Sequence, residues 1–302
     1  MTRLADLAEL VRAPAALSVP GDVLAGAAAA GALDRRTPAL AGASVLLYWA
    51  GMAGNDWADR RLDAVERPER PIPSGRVRPA AALGVAAGLT AAGLALATAA
   101  GGRRAAAVAV PLAAAIWGYD LLAKDTAAGP AVMAACRGLD VLLGATPARG
   151  GRARGGRPPG SAGRATTAGH GLLRALPAAL TVAAHTWTVT ALSRREVAGA
   201  DRRLPRATLA GTALVAATAL GRADPVPAAL AAGYATRYGA AQARVIADPS
   251  PPRVRAAVGA GITGLPALQG ALTARAGARL LGLAVAGAAP LGHRLARLIS
   301  PT

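Results

Sequence analysis

Apolar residues in this chain arrive in long unbroken blocks, not at the three-and-four spacing of a helix with one wet face. The blocks "PGDVLAGAAAAGAL" (20–33), "PALAGASVLLYWAGMAG" (38–54), "AALGVAAGLTAAGLALATAAGG" (81–102) and "AAAVAVPLAAAIWGY" (105–119) come first. "GLLRALPAALTVAAHTWTVTAL" (171–192), "ATLAGTALVAATAL" (207–220) and "RLLGLAVAGAAPLGHRL" (279–295) follow. Runs of about 17–25 apolar residues are long enough to cross a bilayer as helices. A single such block fits a buried core helix, but nearly ten in series predict an all-α, polytopic membrane protein. Spans are expected near 17–33, 38–54, 80–100, 104–123, 128–147, 170–192, 207–221, 226–243, 254–273 and 277–298, nine or ten in all, within one domain over 1–302.

Composition agrees. Hydrophobic residues make up 53% of the 302 positions and charged residues 17%, against about a quarter in a soluble domain. The formal net charge is +18. A basic chain invites a nucleic-acid reading. The charges sit in loops between apolar blocks and form no basic face, which excludes that reading. Loops 55–78, 193–206 and 237–255 are rich in arginine and fall on one side, which the positive-inside rule makes cytoplasmic, in a cell membrane. Loop 148–169, "ARGGRARGGRPPGSAGRATTAG", breaks that rule with five arginines, and its Gly/Arg/Pro composition predicts disorder. The lone Cys136 forbids an intramolecular disulfide. The first twenty-one residues are read as a retained interfacial helix leading into the first span, not a signal peptide.

One stretch carries chemistry: "GNDWADRRLDAVERPERPIPSGRV", residues 54–77. Of sixteen acidic residues in the chain, five fall between Asp56 and Glu69. On a helix, Asp56, Asp59 and Asp63 lie three and four apart, which stacks them on one face. Carboxylates so crowded call for a positive partner. Mg²⁺ suits them, since it takes one or two carboxylates and completes its shell with substrate phosphates. Asn55 adds a neutral oxygen. Arginine forks match phosphate oxygens, and Arg67, Arg70 and Arg76 follow in a Pro-rich loop. A charge run in a loop is more often a solvated surface whose acids pair with neighbouring arginines. The ordered N-D-x-x-D-x-x-x-D pattern beside an apolar span favours a diphosphate site for a lipid-tailed substrate.

"NDWADRRLD" followed by "RPERPIPSGR" resembles the first aspartate-rich motif of the UbiA superfamily of intramembrane prenyltransferases. "YDLLAKDTAAGPAVMAACRGLDVLLGA" (119–145) resembles a second block of the family, most closely in its EboC-like branch. The resemblance implies a bundle of about nine transmembrane helices around a central cavity. It also implies Mg²⁺-dependent transfer of a prenyl group from a prenyl diphosphate to an acceptor, usually aromatic, in contact with membrane lipid. Carried over by residue, Asn55, Asp56, Asp59 and Asp63 would hold Mg²⁺, and Arg67 and Arg70 would clamp phosphate. Tyr119 and Lys124 would sit at the cavity mouth. Lys124, the only lysine, would neutralise the leaving group, although a snorkelling residue at a span end looks the same in sequence. Asp120 and Arg137 match the narrower branch, Asp120 with no assigned role and Arg137 as a candidate substrate-binding residue.

The family's second acidic motif is degenerate in this chain. In "HTWTVTALSRREVAGADRRLPR" (185–206) only Glu196 and Asp201 are acidic, five residues apart and off a common helical face. Arg194 and Arg195 stand beside them. One Mg²⁺ is therefore expected, with Arg194 or Arg195 supplying the charge of a second and Glu196 orienting an arginine. The rival reading is a non-catalytic membrane carrier or accessory protein that keeps a diphosphate-lipid pocket. His185, inside a span, is read as a neutral imidazole bonded to a neighbouring helix.

Overall fold

The computed structural model describes residues 3–13, 18–146, 161–221 and 224–288, with backbone only for 161–169. Among them every regular element is helical. In chain order these are α1 (Leu4–Leu10), α2 (Pro20–Ala30), α3 (Thr37–Ala58), α4 (Arg60–Glu66), α5 (Pro79–Gly118), a π-turn (Tyr119–Ala123), α6 (Gly129–Gly144), α7 (Ser161–Ser193), α8 (Arg203–Ala219), α9 (Pro225–Ala247) and α10 (Pro251–Arg275). A short apolar helix, α11 (Arg279–Ala288), follows.

The expected spans map onto these elements, with differences that have local causes. α2 is shorter than its apolar block. Pro20 opens it, and Gly31, at φ 65°, closes it in the left-handed conformation that glycine adopts without strain. The expected spans at 80–100 and 104–123 are the two arms of α5, which folds in half at Gly102, whose φ of 67° and ψ of −156° suit only glycine. The fold is a hairpin: Trp117 Nε1 donates to Thr90 Oγ1 at 3.1 Å. A straight helix would hold those residues about 40 Å apart. Most of the expected 148–169 loop lies outside the described residues. α7, however, opens at Ser161, just past the last Pro of the Gly/Arg/Pro tract, so the helix claims the final part of that loop.

Among the described residues, two stretches are long and apolar enough to cross a membrane by strict hydropathy, Pro79–Ala123 and His170–Ser193. The other helices are diluted by Gly, Thr and Arg. On α7, Leu173, Leu176, Leu180 and Trp187 recur on one face and are exposed. A lipid bilayer covers such a face; water does not.

Small residues hold the bundle together. A Cβ on Gly26 would stand 1.7 Å from the Val141 carbonyl oxygen, and one on Gly144 would stand 1.9 Å from that of Val23. α2 and α6 therefore touch backbone to backbone, as intramembrane helices do when packing, not hydrophobicity, drives association. The largest core lies between α7, α9 and α10, around the fully buried Tyr234 and Tyr238. A second lies between α3 and the α5 hairpin. The space between these two cores holds the cavity.

Candidate functional site

The cavity has two adjoining chambers. The larger, about 330 Å³, is lined mainly by apolar residues of α3, α6, α7 and α10, including Trp49, Val189, Val258 and Leu265. The smaller, about 240 Å³, is lined by Arg12, Asn55, Asp120 and Cys136 among others. Tyr48, Met52, Tyr119 and Met133 border both. A greasy chamber thus adjoins one that Arg12, Asn55 and Asp120 make more polar.

The polar chamber lies where α3 ends. Hydrogen bonds from Asp59 N to Asn55 O (2.9 Å) and from Asp63 N to Asp59 O (2.8 Å) carry the helical ladder from α3 into α4. Asp59 itself has ψ of 0° and bends the ladder. The bend divides the acids, which do not share one face as a straight helix would make them. Asn55 and Asp59 turn to the π-turn: Asn55 Nδ2 donates to Asp120 Oδ1 at 3.4 Å, and Asp59 is ion-paired with Lys124. Asp56 and Asp63 turn to the Pro-rich loop, where both meet Arg70, at 3.3 and 2.7 Å. Arg67 stands 3.9 Å from Asp63 and is half exposed. Asp56 also takes a hydrogen bond of 2.8 Å from Arg12.

The π-turn explains how Tyr119 and Lys124 reach one site. Lys124 N donates to Tyr119 O at 2.9 Å, the i-to-i+5 bond of a π-turn. The wide turn takes up one residue more than an α-helical turn holds. It keeps Tyr119 on the cavity, presents Asp120 beside it and delivers Lys124 to Asp59.

Oxygen donors fit a divalent cation at this site in a limited way. Among the described residues no three His, Cys, Asp or Glu side chains are grouped for a metal. Asn55, Asp59 and Asp120 lie at the polar end, two carboxylates and an amide that turns its Nδ2 to Asp120 and would offer its oxygen to a cation once turned over. That set matches Mg²⁺, which leaves most of its shell to phosphate and water.

The second loop is built differently from the first. Arg194 donates through Nη1 to the Lys124 and Thr126 carbonyls, at 3.1 and 2.6 Å, and so clamps the turn that carries Lys124. The Glu196 carbonyl accepts from Arg255 at 2.9 Å, and partial burial pushes the Glu196 carboxyl up from its ordinary value. Asp201 takes two hydrogen bonds of 2.9 Å from the N–H groups of Arg203 and Leu204. Those bonds fold it over the start of α8 as a cap and hold its carboxyl below the usual range, with the Leu204 amide the largest cause. Arg195 has the Asp201 carboxylate as its charged neighbour.

Arg137 borders the larger chamber, yet its guanidinium is engaged inside the bundle. Its Nε lies 2.7 Å from Asp22 Oδ2, Nη2 donates to Ser18 O at 3.2 Å, and the group stacks over Tyr48 at 5.3 Å. Gln269 donates to the same Asp22 at 2.6 Å, and Ser44 donates to Asp140. His185 also borders this chamber and is hydrogen-bonded to Tyr234 Oη at 2.8 Å, the neighbouring-helix bond expected of it. Sequence reasoning missed Arg12 as part of the site and left Asp120 without a role. An acid inside an apolar block was a signal for Asp120. Nothing in the sequence marks Arg12.

A profile described as the UbiA prenyltransferase family matches residues 18–265. The digeranylgeranylglyceryl phosphate synthase of Methanothrix thermoacetophila is 45% identical over 80 residues, 26% of this chain and 30% of that protein. Its counterpart from Natronomonas pharaonis is 44% identical over 85 residues, 28% of this chain and 31% of that protein. The aligned stretch thus spans under a third of each relative. The apo structure of a UbiA homolog from Aeropyrum pernix K1 superposes with a TM-score of 0.60 at 19% identity, covering 88% of this chain and 96% of that one. A structure from work on digeranylgeranylglyceryl phosphate synthase in membranes gives 0.64 at 16% identity, covering 91% and 99%. At those identities the likeness is one of fold.

Proposed function

Because the chain belongs to the UbiA prenyltransferase family, whose members are integral membrane proteins, we propose that it transfers a prenyl group from a prenyl diphosphate to a small acceptor, with Mg²⁺. The observation that carries the reading is the cavity's division. Asn55, Asp59, Asp120 and Lys124 gather at its polar end, and a mainly apolar chamber of about 330 Å³ lies next to them. A prenyl diphosphate is divided in the same way.

Mg²⁺ would be held by Asn55 and Asp59, joined by Asp120, and would offset the negative charge that grows on the departing diphosphate. Asp56 and Asp63 would serve the site through Arg70, by fixing the Pro-rich loop. Lys124 would leave Asp59 for the phosphate oxygens and stabilise the leaving group where charge develops. Arg67, half exposed at the rim, would meet an incoming phosphate first. Tyr119 would close the polar chamber over the allylic carbon, and the apolar lining would keep water from the cation formed there. The C1–O bond breaks with its electron pair on the diphosphate. An acceptor oxygen then gives a pair to C1 and loses its proton to the released diphosphate.

The acceptor we favour is a glyceryl phosphate, the type named in the relatives' activity, in place of the aromatic acceptor that the family resemblance suggests. The second loop supports it: Arg194 ties that loop to the turn carrying Lys124, on the side of the first motif, and the exposed Arg195, Arg202 and Arg203 offer an anionic acceptor a second phosphate contact. We assign that side to the cytoplasm, on the strength of the same arginines. The test is incubation of the purified protein with labelled geranylgeranyl diphosphate and Mg²⁺, against a geranylgeranylglyceryl phosphate and a hydroxybenzoate in separate arms. A prenylated glyceryl phosphate supports the reading in full. A prenylated hydroxybenzoate corrects the acceptor alone. Binding without product in either arm favours the carrier.

A further inference from the structure

The N-terminal segment reaches into the polar chamber, and its geometry there is unusual. Arg12 is the only non-glycine residue with positive φ among those described, at 46°. Such a backbone is uncommon outside glycine and persists where the surroundings hold it. In this protein they do. Leu10 and Val11 are buried against Ile72 and Val77. Arg76 forks onto Glu9 at 2.6 and 3.0 Å and meets Asp6 at 2.9 Å, while also donating to the Glu69 carbonyl at 2.6 Å. α1 and the Pro-rich loop are therefore one unit, and the strained residue at its end points a guanidinium at the site.

That guanidinium has a particular relation to Asp56. Asp56 holds two arginines, Arg12 at 2.8 Å and Arg70 at 3.3 Å. Arg70 is shared with Asp63 and is the more enclosed of the two. Asp56 can release Arg12 and still keep a cation, so no buried carboxylate is stranded when Arg12 turns away. Arg12 also lines the smaller chamber with Asn55 and Asp120. Resting on the diphosphate reading above, we propose that Arg12 is a substrate-binding residue that passes from Asp56 to the donor's diphosphate, and that α1, latched by Arg76, is the strap that presents it. The planar fork suits two phosphate oxygens at once.

The test uses the full-length protein in detergent with two probes, inorganic pyrophosphate with Mg²⁺ and geranylgeraniol, which has the tail and lacks the phosphates. Arg12→Ala is expected to weaken pyrophosphate binding by about tenfold or more, as loss of a charge-assisted contact does, and to leave geranylgeraniol binding unchanged. Arg12→Lys should recover part of the loss. Arg76→Ala, outside the chamber, should weaken pyrophosphate in the same direction by loosening the strap. Wild-type pyrophosphate affinity in Arg12→Ala overturns the proposal, and so does equal loss of both probes, which would make Arg12 structural. A wild-type protein that binds geranylgeraniol and ignores pyrophosphate removes the diphosphate reading itself, and this inference with it.

Discussion

Lys124 and Asp59, sixty-five positions apart, form an ion pair across the gap between the π-turn and the end of α3. The pair joins the two blocks of the sequence that carry chemistry, and it is only partly exposed. On the proposed mechanism the lysine is held ready by Asp59 and moves to the leaving group. Lys124→Ala should therefore lower kcat for prenyl transfer by about 100-fold or more, the scale of removing one preorganised electrostatic contact, with a smaller effect on KM. Lys124→Arg should keep part of the activity. A Lys124→Ala protein with wild-type kcat would reduce the lysine to a snorkelling residue.

Backbone contact between α2 and α6 sets the width of the bundle. Gly26→Val should block it, because a Cβ there would overlap the Val141 carbonyl oxygen at 1.7 Å. Loss of the monodisperse protein on size-exclusion chromatography is the expected readout. Gly84→Ala is the control, since a Cβ at that position meets nothing within 4 Å. Equal behaviour of the two variants would contradict close packing at this contact.

Arg137 and Asp22 are both buried, and each would be stranded without the other. Arg137→Leu should destabilise the protein by about 3–5 kcal/mol, the usual cost of leaving one buried charge unpaired. The double variant Arg137→Leu with Asp22→Asn should recover most of that, because Gln269 still serves the amide. Thermal unfolding in detergent measures both, and strictly additive losses would show the pair to be uncoupled.

The strap should respond to salt more than to pH. The Arg3 amide, first, and Arg76 hold the Asp6 carboxyl below its ordinary 3.8. A depressed acid contributes stability above its unfolded pKa and loses it as pH falls through the folded one, so nothing changes across neutral pH. Its partners are solvent-accessible and are screened by salt. Protease cleavage near Arg12 should be constant from about pH 5 to 8 and should rise with ionic strength. A steep pH dependence in that window would point to another group.

Much of the bundle was legible because membrane helices announce themselves by block length, and the division at 102 was visible as a Gly-Gly pair between two blocks. Spacing placed Asp56, Asp59 and Asp63 together around one helix end, and they do lie where α3 passes into α4. What spacing could not show is the bend at Asp59, which turns Asp56 and Asp63 one way and Asn55 and Asp59 the other. The π-turn was hidden as well, because one residue more or less in "YDLLAK" leaves the hydrophobic pattern unchanged. Asp201 carries a legible signal of its own: an Asp just before a helix start is a cap candidate, and its carboxylate accepts from the Arg203 and Leu204 amides. Arg12 and Asp22 depend on partners 44 and 115 positions away, and no local pattern encodes those.

The proposed function stands or falls on whether Asn55, Asp59 and Asp120 bind a diphosphate through Mg²⁺. Titration of geranylgeranyl diphosphate into the purified protein, with Mg²⁺ and then with EDTA, addresses it directly, for wild type and for Asp59→Asn and Asp120→Asn. EDTA should weaken wild-type binding by about tenfold or more, and either substitution should do the same in the presence of Mg²⁺. Binding of equal strength with and without Mg²⁺, unaltered by both substitutions, would contradict a metal-held diphosphate at this site.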